Sequence, residues 1–296
     1  MPPKDSIREI RINQNPFSAE FDRLGFGRIE ILTKPGSDKW RGQGFFNFND
    51  DAFNSRNPFA LNKAPSQTKF YGVNFSGPIQ KGRSSIFFDV SNRQIDNNAI
   101  INAQILDPAL NITTFRQDVR VPSQRFSFGP RFDYAINDKN TIVLRYNYSK
   151  SSLENQGIGD TSLLSRAYEN SSREHEIRAT ETMIINARTV NETRFEFSDN
   201  RRENRGDNTI PTINVASAFT GGGSQIGLSF SRNRVFEINN FTTTSLGKRS
   251  QHGIKFGVRV RNVHVTDRSV NNFGGTFLFL GFQGADAACD LNGDNV

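Results

Sequence analysis

One pattern recurs along this chain: runs in which apolar and polar residues alternate strictly. In residues 125–136 the even positions carry the apolar side chains of Phe126, Phe128, Phe132, Tyr134 and Ile136. The same alternation returns in residues 141–148, 192–197 and 254–261. Successive side chains of a β-strand point to opposite faces, so each run predicts a strand with one apolar face and one polar face. The pattern therefore predicts an all-β protein.

The connections between the runs are alternately short and long. Short turns lie near 77–82, 137–140, 188–191 and 247–251, and long polar stretches lie at about 50–66, 95–122, 151–172, 204–232 and from 267 onward. The stretches between these connections are about 10–15 residues long. Strands of soluble sandwiches average about 5–6 residues, whereas a tilted transmembrane strand needs about 9–11. We therefore predict an antiparallel meander of about nine long strands that forms part of a transmembrane β-barrel. A soluble β-sandwich is the alternative.

Composition excludes several other classes of protein. With 27 Phe among 296 residues the chain is too aromatic for a disordered protein, and its single cysteine, Cys289, excludes a disulfide scaffold. No apolar run approaches the roughly 18 residues of a membrane-spanning helix. The net charge of +7 is spread singly along the strands, which indicates solvated polar faces, and we expect no nucleic-acid partner.

Residues 17–36 read Phe-Ser-Ala-Glu-Phe-Asp-Arg-Leu-Gly-Phe-Gly-Arg-Ile-Glu-Ile-Leu-Thr-Lys-Pro-Gly. This segment resembles the end of the plug domain of TonB-dependent outer-membrane receptors, and most of all their Oar-like branch. Further similarities follow in order along nearly the whole chain, at 74–79, 85–89, 191–195, 252–258 and 271–277. They are similar to an early barrel hairpin, later strand starts and a loop of that family.

The resemblance implies a division into two parts. Residues 1–40 would be the C-terminal part of a plug domain, and residues 41–296 the N-terminal part of a transmembrane β-barrel with long extracellular loops. It implies a bacterial outer-membrane protein that contacts lipid, receives energy from TonB through an N-terminal segment and imports a scarce, large extracellular substrate. On this interpretation the chain is a fragment without its signal peptide, and it cannot transport alone.

No catalytic or cofactor-binding constellation stands out, so we expect neither enzymatic activity nor a cofactor. The three histidines lack the spacing of metal ligands. A weak calcium candidate is the tail, where Asp290, Asn292 and Asp294 place oxygen ligands at positions 1, 3 and 5 of a calcium-type loop. That segment has no glycine at position 6, which favours an ordinary acidic loop.

Two further sets of residues are candidates for function. Phe53 and Phe59, near the first long stretch, are candidates for lining a ligand vestibule, although lipid contact explains most phenylalanines of the alternating faces. Arg28 and Glu30, on the predicted plug strand, are candidates for ion pairs between plug and barrel. Such pairs are weak when hydrated, so they would allow the plug to move when it is pulled.

Two other functions stay open at this point. A passive or adhesive outer-membrane barrel would bind a surface partner through its loops without energy coupling. A soluble β-rich module would bind anionic ligands or nucleic acid, remain in solution without detergent and lose affinity steeply with salt.

The resemblance makes a prediction about the gene. We expect the open reading frame to continue upstream into a signal peptide, a TonB box and the rest of a plug, and downstream into enough strands to complete a barrel of about 22 strands. Sequencing the source DNA in both directions checks this. Stop codons that bound these 296 residues would contradict a transport function for the chain.

Overall fold

A computed structural model describes residues 7–13, 28–55, 63, 65–247 and 251–280. Within these ranges regular structure is almost entirely β, apart from two 3-10 turns at Asp51–Phe53 and Leu164–Arg166. Across the same ranges, no helix has the length and apolarity to span a membrane. The all-β prediction is confirmed.

In the described residues fifteen strands form three sheets. Strands β1 (Ile7–Asn13) and β2 (Arg28–Thr33) make an antiparallel pair. The main sheet contains β3 (Arg41–Asp50), β4 (Gln67–Gln80), β5 (Ser84–Leu106), β6 (Ile112–Phe128), β7 (Arg131–Asn137), β8 (Asn140–Gln156), β9 (Tyr168–Asn186), β10 (Thr189–Gly206), β13 (Ser229–Leu246) and β14 (His252–Arg268). The third sheet contains β11 (Thr212–Val215), β12 (Phe219–Gly222) and β15 (Thr276–Phe279).

The main sheet is an antiparallel meander in which β7 continues β6. Both strands lie between β5 and β8, and the ladder is interrupted at Gly129-Pro130, where proline supplies no amide donor. The break is bridged by other bonds: the Gly129 amide donates to the Asp89 carbonyl at 2.9 Å, and the Tyr146 amide donates to the Pro130 carbonyl at 3.0 Å. Because β6 and β7 share one position in the strand order, the ten strands occupy nine positions, which confirms the predicted number of about nine.

Tight turns lie at one end of the sheet and long connections at the other. Two-residue turns join β7 to β8 and β9 to β10, and a three-residue turn joins β4 to β5. At the opposite end the polar segment 95–122, expected to be a loop, instead continues the ladder to a turn at 107–111. The strands continue because Ile101 and Ala103, on the extension of β5, are buried beneath two neighbouring loops.

The main sheet is a single layer, so its apolar face has almost nothing to pack against. Over the described part of the chain only four apolar side chains are buried: Phe87, Ile101, Ala103 and Val235. Instead, rings contact one another across strands on one face, as in Phe88–Phe128 and Phe195–Phe236, with centroids 5.2 and 5.4 Å apart. Large exposed apolar faces of this kind mark contact with lipid or with another protein.

A matched pair of residues tests how the extended hairpin is held. Ile101 is completely buried, whereas its neighbour Ile100 is 45% exposed. We expect Ile101→Ala to leave a cavity and to reduce local stability by about 2–5 kcal/mol, whereas Ile100→Ala changes it by less than about 0.5 kcal/mol. Hydrogen exchange of the Asn102 and Asp160 amides, which donate across this contact, measures the difference. Equal protection in the two variants would show that burial of Ile101 does not hold the loops.

Candidate functional site: the polar face and the long loops

The polar face of the main sheet carries a network of ion pairs across its central strands. Arg178 on β9 reaches Glu176 at 2.6 Å and Glu196 on β10 at 3.2 Å. The Asn147 side-chain amide on β8 donates to Glu176 at 2.8 Å. These groups are partly buried, and charges in such positions need partners to be tolerated.

Three arginines on the neighbouring strands β7, β8 and β9 lie directly opposite one another on this face: Arg131, Arg145 and Arg178. Carboxylates interleave with them, since Arg131 pairs with Asp133 at 2.6 Å and Arg178 with Glu176. The Nε of Arg145 is buried and has no hydrogen-bond partner within the described ranges. Like charges in register repel, so this part of the face favours anionic groups nearby.

A second group of charges lies toward the β14 edge of the same face. Glu237 on β13 accepts from Arg259 at 2.9 Å and from the Asn239 side chain at 2.7 Å, and Arg261 lies 3.4 Å away. One carboxylate thus serves two arginines of the neighbouring strand. The polar face therefore carries ion pairs from β7 across to β14.

The β1–β2 hairpin lies on this polar face. Ile29 and Ile31 of β2 line a cavity of about 270 Å³ whose other walls include Arg145, Asn147 and Glu176. After β2 the chain stays on the same side, where the Gly36 amide donates to the Asp133 carboxylate at 3.2 Å. The hairpin therefore lies over the polar face, and the apolar face is on the opposite side of the sheet.

The long loops form a connected platform at one end of the sheet. In segment 157–167, Asp160 exchanges backbone hydrogen bonds with β5, accepting from the Asn102 amide at 2.6 Å and donating to the Ile100 carbonyl at 2.8 Å. The same segment pairs with 207–228, since the Leu163 amide donates to the Thr220 carbonyl at 2.9 Å. The loops are thus ordered by backbone pairing.

Arg166 fixes the loop that carries β11 and β12. Its guanidinium donates to the Thr212 hydroxyl and to the Gly223 carbonyl, and the Thr212 hydroxyl donates to the same carbonyl at 2.8 Å. Burial lowers the pKa of Arg166, which has no carboxylate within salt-bridge distance among the residues the structure describes. No sequence signal marks this arginine, because its partners lie 46 and 57 residues further along the chain.

Two aspartates close turns in these loops. The Thr209 hydroxyl and amide donate to Asp207 and hold the pKa of its carboxyl below the usual range, and the Asn111 amide lowers the pKa of Asp107 in the same way. The ionised forms are therefore the stabilising ones. Their contribution is present above the pKa of an unfolded aspartate, about 3.9, and is lost as pH falls through the lower folded value.

The predicted vestibule residues are only partly described. Phe53 is 73% exposed and makes an edge contact with Phe48, which shares the outward face with Phe46. Phe45, by contrast, lies on the polar side against Phe70 of β4, with ring centroids 4.7 Å apart. Phe59 lies outside the described residues. The vestibule role of Phe53 and Phe59 stays a prediction.

The roles of the other candidate residues stay predictions. Arg28 and Glu30 stand in β2, but their side chains lie outside what the structure describes, so their pairing with the barrel remains a prediction. The calcium candidates Asp290, Asn292 and Asp294 lie outside the described residues too. Within those residues, no group of three or more His, Cys, Asp or Glu side chains is placed to hold a metal ion.

Comparison with known proteins agrees with this architecture. The outer membrane beta barrel domain family matches residues 101–293, which is more than half of the chain. The chain belongs to this family. These similarities support both a location in the outer membrane and a transmembrane β-barrel fold. Comparison with curated proteins gives no significant match.

Solved structures show the same barrel fold. The outer membrane transporter YddB from Escherichia coli superposes with a TM-score of 0.60 at 12% identity, over 88% of this chain and 35% of YddB. A mutant ferric enterobactin receptor, PfeA from Pseudomonas aeruginosa, in complex with enterobactin, gives 0.56 at 12% identity, over 90% of this chain and 37% of PfeA. This outer-membrane barrel chain thus spans about a third of the length of either structure.

The contacts of Arg166 generate a prediction about the loop platform. Loss of its charged hydrogen bonds in Arg166→Met removes about 1.5–3 kcal/mol each, so we expect cleavage within 207–228 by a dilute protease to accelerate at least about tenfold. Arg202→Met is the control, because Arg202 is exposed on β10 and has no ion pair within the described part of the chain. Equal cleavage of both variants would remove Arg166 as the residue that orders the loop.

Proposed function

We propose that this chain supplies the end of the plug and the first part of the barrel of a TonB-dependent outer-membrane receptor. The observation that carries the proposal is the position of the β1–β2 hairpin on the polar, inward face of a membrane sheet. Residues 1–40 would then belong to the plug and residues 41–296 to the barrel. The resemblance of segment 17–36 to a plug terminus supports the same division.

In this function the loops bind the substrate and the plug blocks the lumen until it moves. The platform made by segments 157–167 and 207–228 is ordered, which suits it to hold a binding surface. The contact of β2 with the barrel includes a cavity of about 270 Å³, so the hairpin is loosely packed there. Loose packing and hydrated ion pairs both lower the work needed to displace a plug. No covalent step is required.

The substrate class rests on similarity alone. Both structural relatives are transporters or receptors of the outer membrane, and one of them was crystallised with enterobactin. We therefore propose import of a scarce molecule too large for passive pores, with ferric chelates as the first class to test. Oligosaccharides and peptides are other large molecules to include in the same test.

Uptake measured in the source organism tests the energy coupling. We expect at least one large nutrient, from a panel of ferric chelates, oligosaccharides and peptides, to be taken up only when both this receptor gene and TonB are present. Uptake that needs the receptor but persists without TonB would identify a passive barrel. Loss of surface attachment with unchanged uptake of every nutrient would identify an adhesive barrel.

A reversible cross-link tests the plug. In a Cys289→Ser background of the full-length protein, Ile29→Cys and Ser149→Cys place two thiols in the walls of the same cavity. We expect a bifunctional thiol-reactive cross-linker with an internal disulfide to join the two thiols and abolish uptake of the nutrient identified above, and dithiothreitol to restore it, because the hairpin must leave the sheet. Ser149→Cys alone is the control. Full uptake with the cross-link formed would mean that the hairpin does not move.

A further inference from the structure

Four basic side chains form one row across four consecutive strands. Lys150 on β8 lies opposite Arg173 on β9, Arg173 lies opposite Arg201 on β10, and Arg201 lies opposite Arg232 on β13. Directly opposed residues of an antiparallel pair have Cβ atoms about 4.5–5.5 Å apart, and like charges at that spacing destabilise the sheet. The row therefore needs a source of negative charge.

This basic row lies on the outward face. Lys150 stands two residues beyond Tyr148, whose ring contacts His175 with centroids 4.9 Å apart, and Arg173 stands two residues before His175. Because side chains alternate, residues two apart share a face. The β1–β2 hairpin lies on the opposite side, against Arg145 and Asn147. The basic row thus points away from the lumen.

The basic row lies close to the apolar band of the same face. On the side of the tight turns the next register holds Tyr148, His175, Asp199 and Arg234, and the apolar band follows with Tyr146, Ile177, Phe197 and Phe236. On the side of the long loops the next register holds Ser152, Ser171, Glu203 and Phe230. Each member lies about 10–14 residues from the tight turn of its hairpin, or about 25–35 Å along the membrane normal for strands tilted near 40°. That is the thickness of the bilayer core and its outer interface.

Half of the basic row is neutralised within the protein. Arg232 pairs with Asp199 at 2.9 and 2.5 Å, and Arg201 pairs with Glu203 at 2.9 Å while it lies over the Phe230 ring. Lys150 and Arg173 are exposed, and neither has a carboxylate within 4 Å in the ranges that the structure describes. Two opposed cations at the lipid boundary are thus free to bind an external anion.

We infer that Lys150 and Arg173 bind the phosphate-bearing headgroup of a lipid in the outer leaflet. A phosphate between them would accept charge-assisted hydrogen bonds from both side chains and relieve their repulsion. The acyl chains would lie below, along Phe128, Tyr146 and Tyr148, beside Phe126, which is directly opposite Lys150. A soluble anion would contact only the two basic side chains, whereas a lipid would also contact the adjoining apolar face. The apolar face therefore favours a lipid. The long loops rise from the same end of the sheet, which identifies the leaflet as the outer one.

Lipid binding by the full-length protein in a nonionic detergent tests this site. Phosphatidic acid is the anionic probe, diacylglycerol with the same acyl chains is the neutral probe, and inorganic phosphate tests the headgroup alone. Native mass spectrometry counts retained lipid and gives its affinity, and thermal unfolding measures stabilisation. The test variant is Lys150→Gln with Arg173→Gln. The control is Arg93→Gln with Arg125→Gln, which removes two opposed, exposed arginines from the lumen face.

We expect phosphatidic acid to bind at least about tenfold more tightly than diacylglycerol, with the test variant losing that preference and the control retaining it. Without lipid the test variant should unfold at the same or a higher temperature, because it lacks the repulsion. With phosphatidic acid the test variant should unfold at a lower temperature than the unsubstituted protein, because it lacks the contacts with the lipid. A general folding defect would not reverse the order of the two unfolding temperatures. The proposal fails if both variants bind phosphatidic acid equally. It also fails if inorganic phosphate stabilises the protein as much as the lipid does.

Discussion

Every backbone amide and carbonyl within the hydrocarbon core of a membrane must find its partner inside the protein, because no water is available there. In the described sheet strand pairing meets that requirement between the edge strands β3 and β14, through ladders with a few register shifts and an interruption at Gly129-Pro130. At that position hydrogen bonds from the Gly129 and Tyr146 amides restore the connection. The single-layer sheet, its outward apolar face and its inward polar face all follow from this one constraint.

The polar face is where this constraint allows charged residues of the membrane-spanning strands. Since lipid occupies the outward side, charged residues of the membrane-spanning strands collect on the inward side, where Arg178, Glu176 and Glu196 pair across strands. The β1–β2 hairpin rests on these groups with a cavity between them. The hairpin residues at this cavity are Ile29 and Ile31, and the cavity limits how much apolar surface their contact with the sheet buries.

Beyond the membrane the same strands are stabilised as in water-soluble proteins, by burial of apolar side chains against neighbouring segments. There the β5–β6 hairpin extends to residues 107–111, and its burial of Ile101 depends on loops 157–167 and 207–228 packed over it. Between these two regimes lies the interface, where the aromatic residues Tyr146 and Tyr148 give way to Lys150. The change from apolar to basic within a few residues of one strand face reflects the change of solvent from acyl chain to headgroup.

The sequence by itself determined the strands of the membrane sheet, their number and the polarity of their two faces. Alternation is a local property, and so are the tight turns near 80, 138 and 190, so both can be read without knowledge of the partners. The resemblance of residues 17–36 added the expectation of a plug segment, and β2 lies within those residues.

Only the tertiary structure decided which residues of different strands meet. Segment 95–122 was too polar to indicate strands by alternation, and it forms them because neighbouring loops bury Ile101. Arg166 reaches Thr212 and Gly223, and Lys150 faces Arg173, through register and loop packing. Register is set by pairing between distant segments and by strand tilt, and a shift of one residue would exchange the two faces. Neither the basic row nor the loop platform could therefore be derived from the order of residues alone.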